Sequence, residues 1–477
     1  MWKLRKKLQG ILAGEEGAIV KDPGGKVSVA LVYPNRYSVG MGNLAVHSLY
    51  RIINERSDML CERFFLPDPS DMKEHLRSKT GLLSLESQRP LSEFDCIAFS
   101  VSFENDLMNI IPILSLGRLE HRREARASNA PVLVAGGAAA TINQSPFSPI
   151  FDSTIPGEFE AFADELPEII LKKDFSPRRR HLENLDSFDC ESVIEAPKAQ
   201  FGEMHLMELQ RGCPRGCKFC ATPSIYSPFR ERSVGKIISM IERAKTRKKR
   251  FGLIGSDVLS HRNFSDIAAK IHEIGGKFSP SSIRADAITP EIAAILARSS
   301  HKSSAIGVEA ARESLRNTLG KGLSDAMIFS AAENLASAGI MGIRLYFMIG
   351  LPGEDDGDIL AIPEFAKRIR DTMAKFRPKA PSAGSVEVTI SPFIPKPGTK
   401  MASSKFEGIA EIKRRFKLLR SAAGRMPWLK LGFDSPESAA CEAFLATAGK
   451  EAIEFLETAF ETGTPKAAIK KHAPWLL

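Results

Sequence analysis

Cys213-Pro214-Arg215-Gly216-Cys217-Lys218-Phe219-Cys220 gathers three of the chain's seven cysteines into eight residues, at Cys-x3-Cys-x2-Cys spacing. The other four, Cys61, Cys96, Cys190 and Cys441, are scattered singly. Three thiolates on one short loop suit three irons of a cubane cluster and leave the fourth iron open. Cubane clusters are ordinarily held by four cysteines, so a set of three points to a cluster that binds another molecule at the open iron. The competing readings fit less well. A structural zinc site takes four ligands, commonly as two pairs. No second Cys-x2-Cys or His-x3-His lies nearby, and His205 is the one close histidine. A disulfide framework requires an even count in a short secreted chain, whereas this chain has an odd count and 477 residues.

The loop follows an apolar strand at about residues 204–209, and that strand opens a series. Further strands are expected at 250–254, 282–285, 304–308, 342–349 and 385–390, with helical patterns at 234–247, 264–274, 290–298, 324–338 and 358–374 between them. Six β-α units are too few for an eight-stranded barrel, so residues 201–400 read as a partial barrel whose C-terminal rim carries the active site. Upstream, apolar strands near 27–33, 96–101, 132–135 and 151–155 alternate with helices. Continuous apolar strands of this kind form a parallel sheet covered on both faces, with its ligand site at the strand C-termini. Residues 1–175 therefore read as a doubly wound domain and the polar stretch 176–200 as a linker. Residues 401–477 are mostly helical, with a basic amphipathic segment at 406–422 and further helix over 437–460. The fold class is α/β: an N-terminal Rossmann-like doubly wound domain, a partial (β/α)6 barrel and a helical C-terminal extension.

Composition narrows the class without choosing a partner. The chain is 43% hydrophobic and 26% charged, as in ordinary globular proteins. A formal net charge of +9 permits an acidic substrate, a nucleotide or nucleic acid and selects none of them. The run Lys245 to Arg250 ends a helical pattern and reads as a solvated helix end, where cations are favoured. No apolar signal region follows the basic start Met1 to Lys7, and no apolar run is long enough to span a bilayer. The expectation is a cytoplasmic, reducing compartment, which also suits an oxygen-sensitive cluster.

With Arg211-Gly212 before it and Phe219 ahead of its last cysteine, the Cys loop resembles the signature of the radical SAM superfamily. The resemblance implies a [4Fe-4S] cluster on Cys213, Cys217 and Cys220, with Phe219 beside the cofactor. It implies that S-adenosylmethionine chelates the open iron through its amino and carboxyl groups. Reduction through a donor such as a ferredoxin or flavodoxin then cleaves the sulfonium to a 5′-deoxyadenosyl radical. The physical logic agrees: bidentate chelation needs an iron without a protein ligand, and a radical that takes carbon-bound hydrogen must be walled from water. Other stretches are similar to the family's strand-end motifs. Gly255-Ser256-Asp257 stands where the family often holds the methionine amino group. Ser282-Ile283-Arg284 is similar to a Ser-x-Arg pattern that contacts the ribose and carboxylate, a task suited to the bidentate guanidinium. Gly307-Val308-Glu309 ends a strand where a polar side chain faces the cofactor. Tyr346 to Glu354 resembles the motif bordering the adenine. Ser391 to Thr399 resembles the sixth-strand ending of a methylthiotransferase-like and cobalamin-linked branch.

The first domain resembles the cobalamin-binding Rossmann domain found upstream of the barrel in one radical SAM branch. Asn35-Arg36-Tyr37-Ser38-Val39-Gly40 keeps the spacing of Asp-x-His-x-x-Gly. Ser100-Val101-Ser102, Gly136-Gly137 and Pro156-Gly157-Glu158 follow the later strands, and small residues there let a large ligand tail approach the backbone. In the members that ligate cobalt through histidine, the middle residue of the first motif is that histidine. Here it is Tyr37, with His47 ten residues on. A neutral phenol is a poor metal ligand. The resemblance thus implies either cobalamin without a protein imidazole or a domain that has lost cobalamin. Three functions follow: a cobalamin-linked radical SAM enzyme that methylates unactivated carbon; a radical SAM enzyme of another type, such as a methylthiotransferase or rearranging enzyme; or a non-catalytic protein with a structural metal site. Metal analysis separates the third from the others, and corrinoid absorbance the first from the second.

Overall fold

The computed structural model describes residues 2–171, 178–281, 283–376, 385–424 and 426–477. The chain forms two compact units, one of residues 1–208 with 444–472, the other of 209–443 with 473–477.

The first unit is built on a five-stranded parallel sheet. Its strands are β1 (Val27–Tyr33), β2 (Met59–Phe65), β3 (Cys96–Ser100), β4 (Val132–Gly136) and β5 (Ser153–Ile155), in the order β2-β1-β3-β4-β5. Val29 to Tyr33 are all buried, as a central strand covered on both faces requires. Helix Leu44–Glu55 packs its Val46, Tyr50 and Ile53 into the core over β1 and β2. β2 is the strand that sequence periodicity misses, because Glu62 and Arg63 interrupt its apolar run. Both are buried and partnered: Glu62 accepts from the Ser87 hydroxyl at 2.6 Å, and Arg63 lies between two carboxylates. Helices Ala452–Thr462 and Pro465–His472, expected as part of a separate extension, group with this unit. Glu457 is held there by Arg122 at 2.6 Å and by His121 at 2.8 Å.

β6 (His205–Glu208) ends the first unit, and the chain enters the second at Leu209. The two-stranded ribbon of β7 (Gln210–Arg211) and β8 (Arg230–Glu231) flanks the Cys loop. β9 (Arg250–Ile254) pairs in parallel with β10 (Lys277–Pro280). β11 (Ser303–Glu309), β12 (Gly342–Ile349), β13 (Ser385–Pro392) and β14 (Leu429–Phe433) form a four-stranded parallel sheet in that order. Two differences from the sequence reading matter for the site. The third barrel strand lies at Lys277–Pro280 instead of 282–285, so Arg284 stands on the loop after it, beside the short turn Ala285–Ala287. β14 falls between the two helical segments expected in the C-terminal extension and was not anticipated; it extends the sheet beyond β13, with Val386 and Ile390 of β13 in register with Leu429 and Phe433. No helix among the described residues is long and apolar enough to cross a membrane.

Candidate active site

The Cys loop turns at Gly212, whose φ is +81°; a Cβ there would lie 2.6 Å from the Tyr226 carbonyl oxygen. Glycine is the residue that accepts this backbone without strain. The Ser256 hydroxyl donates to the Gly212 carbonyl. On the far side, the Lys218 N–H donates to the Leu319 carbonyl at 2.9 Å. The three thiols are free and partly exposed on this short loop. Among the described residues, no three His, Cys, Asp or Glu side chains converge on a single metal ion. A cubane asks for something else, one thiolate on each of three irons, and the loop's free thiols fit that demand. Burial pushes the Cys217 thiol up, opposed by the cations of Lys321 and Arg284.

Charged side chains brace the loop from below. Arg215, inside the Cys motif, donates through Nε to Asp257 Oδ2 at 2.8 Å, and its Nη1 lies 3.6 Å from Asp286. The other Asp257 oxygen accepts from Ser260 at 3.0 Å, and the residue is 1% exposed. Asp257, expected to meet the cofactor, is therefore occupied by the protein: it anchors the loop through Arg215. The expectation from its position at a strand end did not anticipate that an arginine of the Cys motif would claim it. Arg284 donates to both Asp286 oxygens, at 3.0 and 3.2 Å, and to the Lys321 carbonyl at 3.1 Å. Ser282 lies outside the described residues. Glu309 closes β11 at a break in register and holds φ at +69°, an unusual conformation for a side-chain-bearing residue. Its carboxylate pairs with Lys321 at 2.7 Å. Such strain persists where surrounding contacts over-determine it, and it concentrates at functional sites. Lys321 was not singled out in the sequence. Its only signal was a place between Gly320 and Gly322, yet it joins Glu309 and stands 6.0 Å from the centre of the Phe219 ring.

Phe219 and Ala221 also line a cavity of about 490 Å³ with Met348, Phe393, Asp434 and Glu442. Its walls thus come from the Cys loop, from the C-terminal ends of β12 and β13, and from the residues after β14. Lys396 pairs with Glu442 at 2.7 Å and Ser391 donates to Asp434 at 2.5 Å, which adds polar groups to the cavity's apolar lining. Behind the Gly350-Leu351-Pro352-Gly353-Glu354 turn, Glu354 accepts from the Gly350 N–H at 2.6 Å and from Arg415 at 2.6 Å. Burial raises its pKa to about 7.

In the first unit the expected residues occupy the C-terminal edge of the sheet. Ser100 is buried at the end of β3, and the Ser102 hydroxyl accepts from Asn43 at 2.9 Å. Gly136 ends β4, and Gly137 follows at φ +104°; a Cβ on Gly137 would lie 2.5 Å from the Val101 carbonyl oxygen. The β3 and β4 ends therefore close up as only glycine allows. Tyr37 stands apart from this group: its hydroxyl donates to Glu15 at 2.6 Å, and its ring meets Phe65 edge-on. Burial and the Glu15 charge raise the phenol's pKa, so it is neutral. His47 is committed on both sides. Its Nε2 lies 3.1 Å from the Met41 carbonyl, and its Nδ1 accepts from the Val193 N–H at 3.2 Å. Burial lowers its pKa to about 4. His47 is a neutral core histidine with no ring nitrogen left for a metal.

Known proteins place this geometry. The sequence matches the family described as radical SAM proteins, N-terminal, over residues 45–193, and the radical SAM superfamily over residues 207–366. An uncharacterised protein of Methanocaldococcus jannaschii is 26% identical over 464 residues, 93% of this chain and 94% of that one. Bacteriochlorophyllide d C-12(1)-methyltransferase of Chlorobaculum tepidum is 22% identical over 55% of this chain and 60% of its own length. Among solved structures, the radical S-adenosylmethionine methyltransferase TsrM of Kitasatospora setae, with cobalamin and a [4Fe-4S] cluster bound, shares the fold. Its TM-score is 0.54 at 12% identity, over 92% of this chain and 100% of that one. This chain thus carries two domains of the radical SAM superfamily, the N-terminal one and the one containing the Cys loop, and with them that superfamily's dependence on a [4Fe-4S] cluster and S-adenosylmethionine.

Proposed function

We propose that the chain is a cobalamin-dependent radical SAM methyltransferase acting on unactivated carbon. Cys213, Cys217 and Cys220 hold the cluster, and Arg284 and the Glu309–Lys321 pair stand at the S-adenosylmethionine site. The observation that carries the cobalamin part is the edge of the first sheet. Ser100, Ser102 and the Gly136-Gly137 turn leave small side chains at the strand ends, in a domain that precedes the Cys loop. Two similar proteins add weight: TsrM binds cobalamin, and the Chlorobaculum relative is a carbon methyltransferase by name. When bound, the cluster and cobalamin supply radical formation and methyl transfer. The chain's own residues do the rest. Arg215 and Asp257 hold the Cys loop in place, and Lys321 sets a positive charge beside it. Phe219, Met348 and Phe393 give the cavity an apolar lining beside the Cys loop. With both His47 nitrogens engaged and Tyr37 donating to Glu15, neither offers cobalt a ligand.

Anaerobic purification with iron, sulfide and hydroxocobalamin tests the reading. The expected result is retained corrinoid, with 5′-deoxyadenosine and S-adenosylhomocysteine both formed from S-adenosylmethionine. Bound cob(II)alamin should show no nitrogen superhyperfine coupling from a protein ligand. Full radical chemistry in a protein that retains no corrinoid would instead favour another radical SAM reaction, with the first unit as a substrate or docking module.

A further inference from the structure

In the strand order β2-β1-β3-β4-β5, connections leave β1 and β3 in opposite directions, and open α/β sheets bind ligands in the crevice at such a switch point. The C-terminal ends of β1 and β3 carry a polar pair: Asn35, which opens the motif after β1, and Asp106, which no motif singled out. Asn35 follows β1, and its Nδ2 donates to Asp106 Oδ1 at 2.9 Å. The Asn35 side-chain oxygen accepts from the Arg36 N–H at 2.8 Å, which fixes which end of the amide faces Asp106. Asp106 lies on the turn Glu104–Asn109 that follows β3 and is 4% exposed. Its second oxygen, Oδ2, is buried and takes no hydrogen bond among the described residues. A buried acceptor left without a donor is costly, and more so when charged. Native structures keep such groups where a ligand or water completes them. Next to it in sequence, Phe103 is 61% exposed, an apolar surface at the same strand end.

We propose that Asp106 Oδ2 is the acceptor for a primary-amide N–H of a corrinoid seated across the ends of β1 and β3, with Asn35 holding the carboxylate in position. The inference rests on the cobalamin reading above. Its chemistry is selective. A buried carboxylate repels phosphate and carboxylate ligands and favours a neutral N–H donor, and the rim of a corrin ring is lined with primary amides. The exposed Phe103 ring offers apolar contact to a large macrocycle. Burial raises the Asp106 pKa to about 6, which leaves the carboxylate mostly ionised at neutral pH and able to accept.

The test uses the full chain, reconstituted anaerobically and titrated with hydroxocobalamin at neutral pH. Asp106→Asn keeps the shape and the bond from Asn35 but presents an N–H where an acceptor is needed. At least tenfold weaker corrinoid binding is expected, and Asn35→Ala should weaken binding by a smaller factor. Cobalamin monocarboxylates, each with one side-chain amide hydrolysed, give the sharper readout. The isomer altered at the amide facing Asp106 should bind the native protein poorly and regain affinity on Asp106→Asn. Affinities within twofold across both variants, with no isomer rescued, overturn the assignment. A parallel fall in cluster iron and thermal midpoint would make Asp106 a folding residue and overturn it too. Native protein that binds no corrinoid overturns the cobalamin reading itself, a result distinct from corrinoid bound equally by native and variant.

Discussion

A thiolate has no neutral substitute as an iron ligand, so Cys213→Ala, Cys217→Ala and Cys220→Ala are each expected to purify with little cluster iron and no cleavage of S-adenosylmethionine. Iron and sulfide quantitation after anaerobic reconstitution reads this directly, and full iron content in the triple variant would refute the ligand set. Arg284→Ala should leave the cluster assembled and weaken S-adenosylmethionine. A lost charge-assisted contact costs about 1.5–3 kcal/mol, or roughly tenfold or more in the dissociation constant. Equilibrium dialysis with the reconstituted protein measures it. His47 gives a pH dependence of known sign. Its folded pKa of about 4 lies below the ordinary value of 6.5, so the unfolded chain takes up the proton first as pH falls. Its stabilisation is present above pH 6.5 and is lost between about 6.5 and 4, amounting to about 2 kcal/mol less at pH 5 than at pH 8. Asp106 and Glu354, with raised carboxyl pKa values, act in the opposite direction. The His47 share is therefore read as the difference between native protein and His47→Gln in urea unfolding at the two pH values.

Elements were legible where their local pattern was uninterrupted. The apolar runs that became β1, β3 and β12 read correctly, and helix Pro290–Arg298 was placed to the residue, because Thr289 caps its start and Pro290 opens it. β2 escaped because its charged side chains are satisfied by partners distant in sequence, Ser87 for Glu62 and Glu15 and Glu86 for Arg63, which no local pattern reports. β14 escaped because its run is short and lies among helices, and only pairing with β13 makes it a strand. At the site, the Cys loop was legible as a motif, and Ser282-Ile283-Arg284 was read as one. Lys321 and Asp106 were not, since their roles depend on partners far off in sequence or, for Asp106, on a missing one. The backbone at Gly212 links an element's geometry to the cluster. Gly212→Ala would force a left-handed backbone on a side-chain-bearing residue and press its Cβ against the Tyr226 carbonyl. A destabilisation of about 1–3 kcal/mol is expected, with lower iron occupancy than the native protein under identical reconstitution.

At the scale of the whole molecule, the order of units along the chain is not the order of domains read from the sequence. Residues 444–472 return to the first unit, and the last five residues belong to the second. There the Ala410 N–H donates to the Leu477 carbonyl at 2.8 Å. The other end of the chain carries a less obvious obligation. Arg63 and its partners Glu15 and Glu86 have fully buried side chains, and the Tyr37 hydroxyl donates to the same Glu15. Burial keeps the Glu86 pKa raised even beside the arginine. Removing one partner of a buried ion pair costs about 3–5 kcal/mol, a large share of a domain's stability. Glu15, eight residues past the basic start Met1 to Lys7, is thus a core counter-ion. Proteolytic removal of the first fifteen residues would therefore take away a buried counter-ion and destabilise the first unit. Glu15→Gln, which keeps the shape and removes the charge, should reproduce much of that loss in a thermal melt.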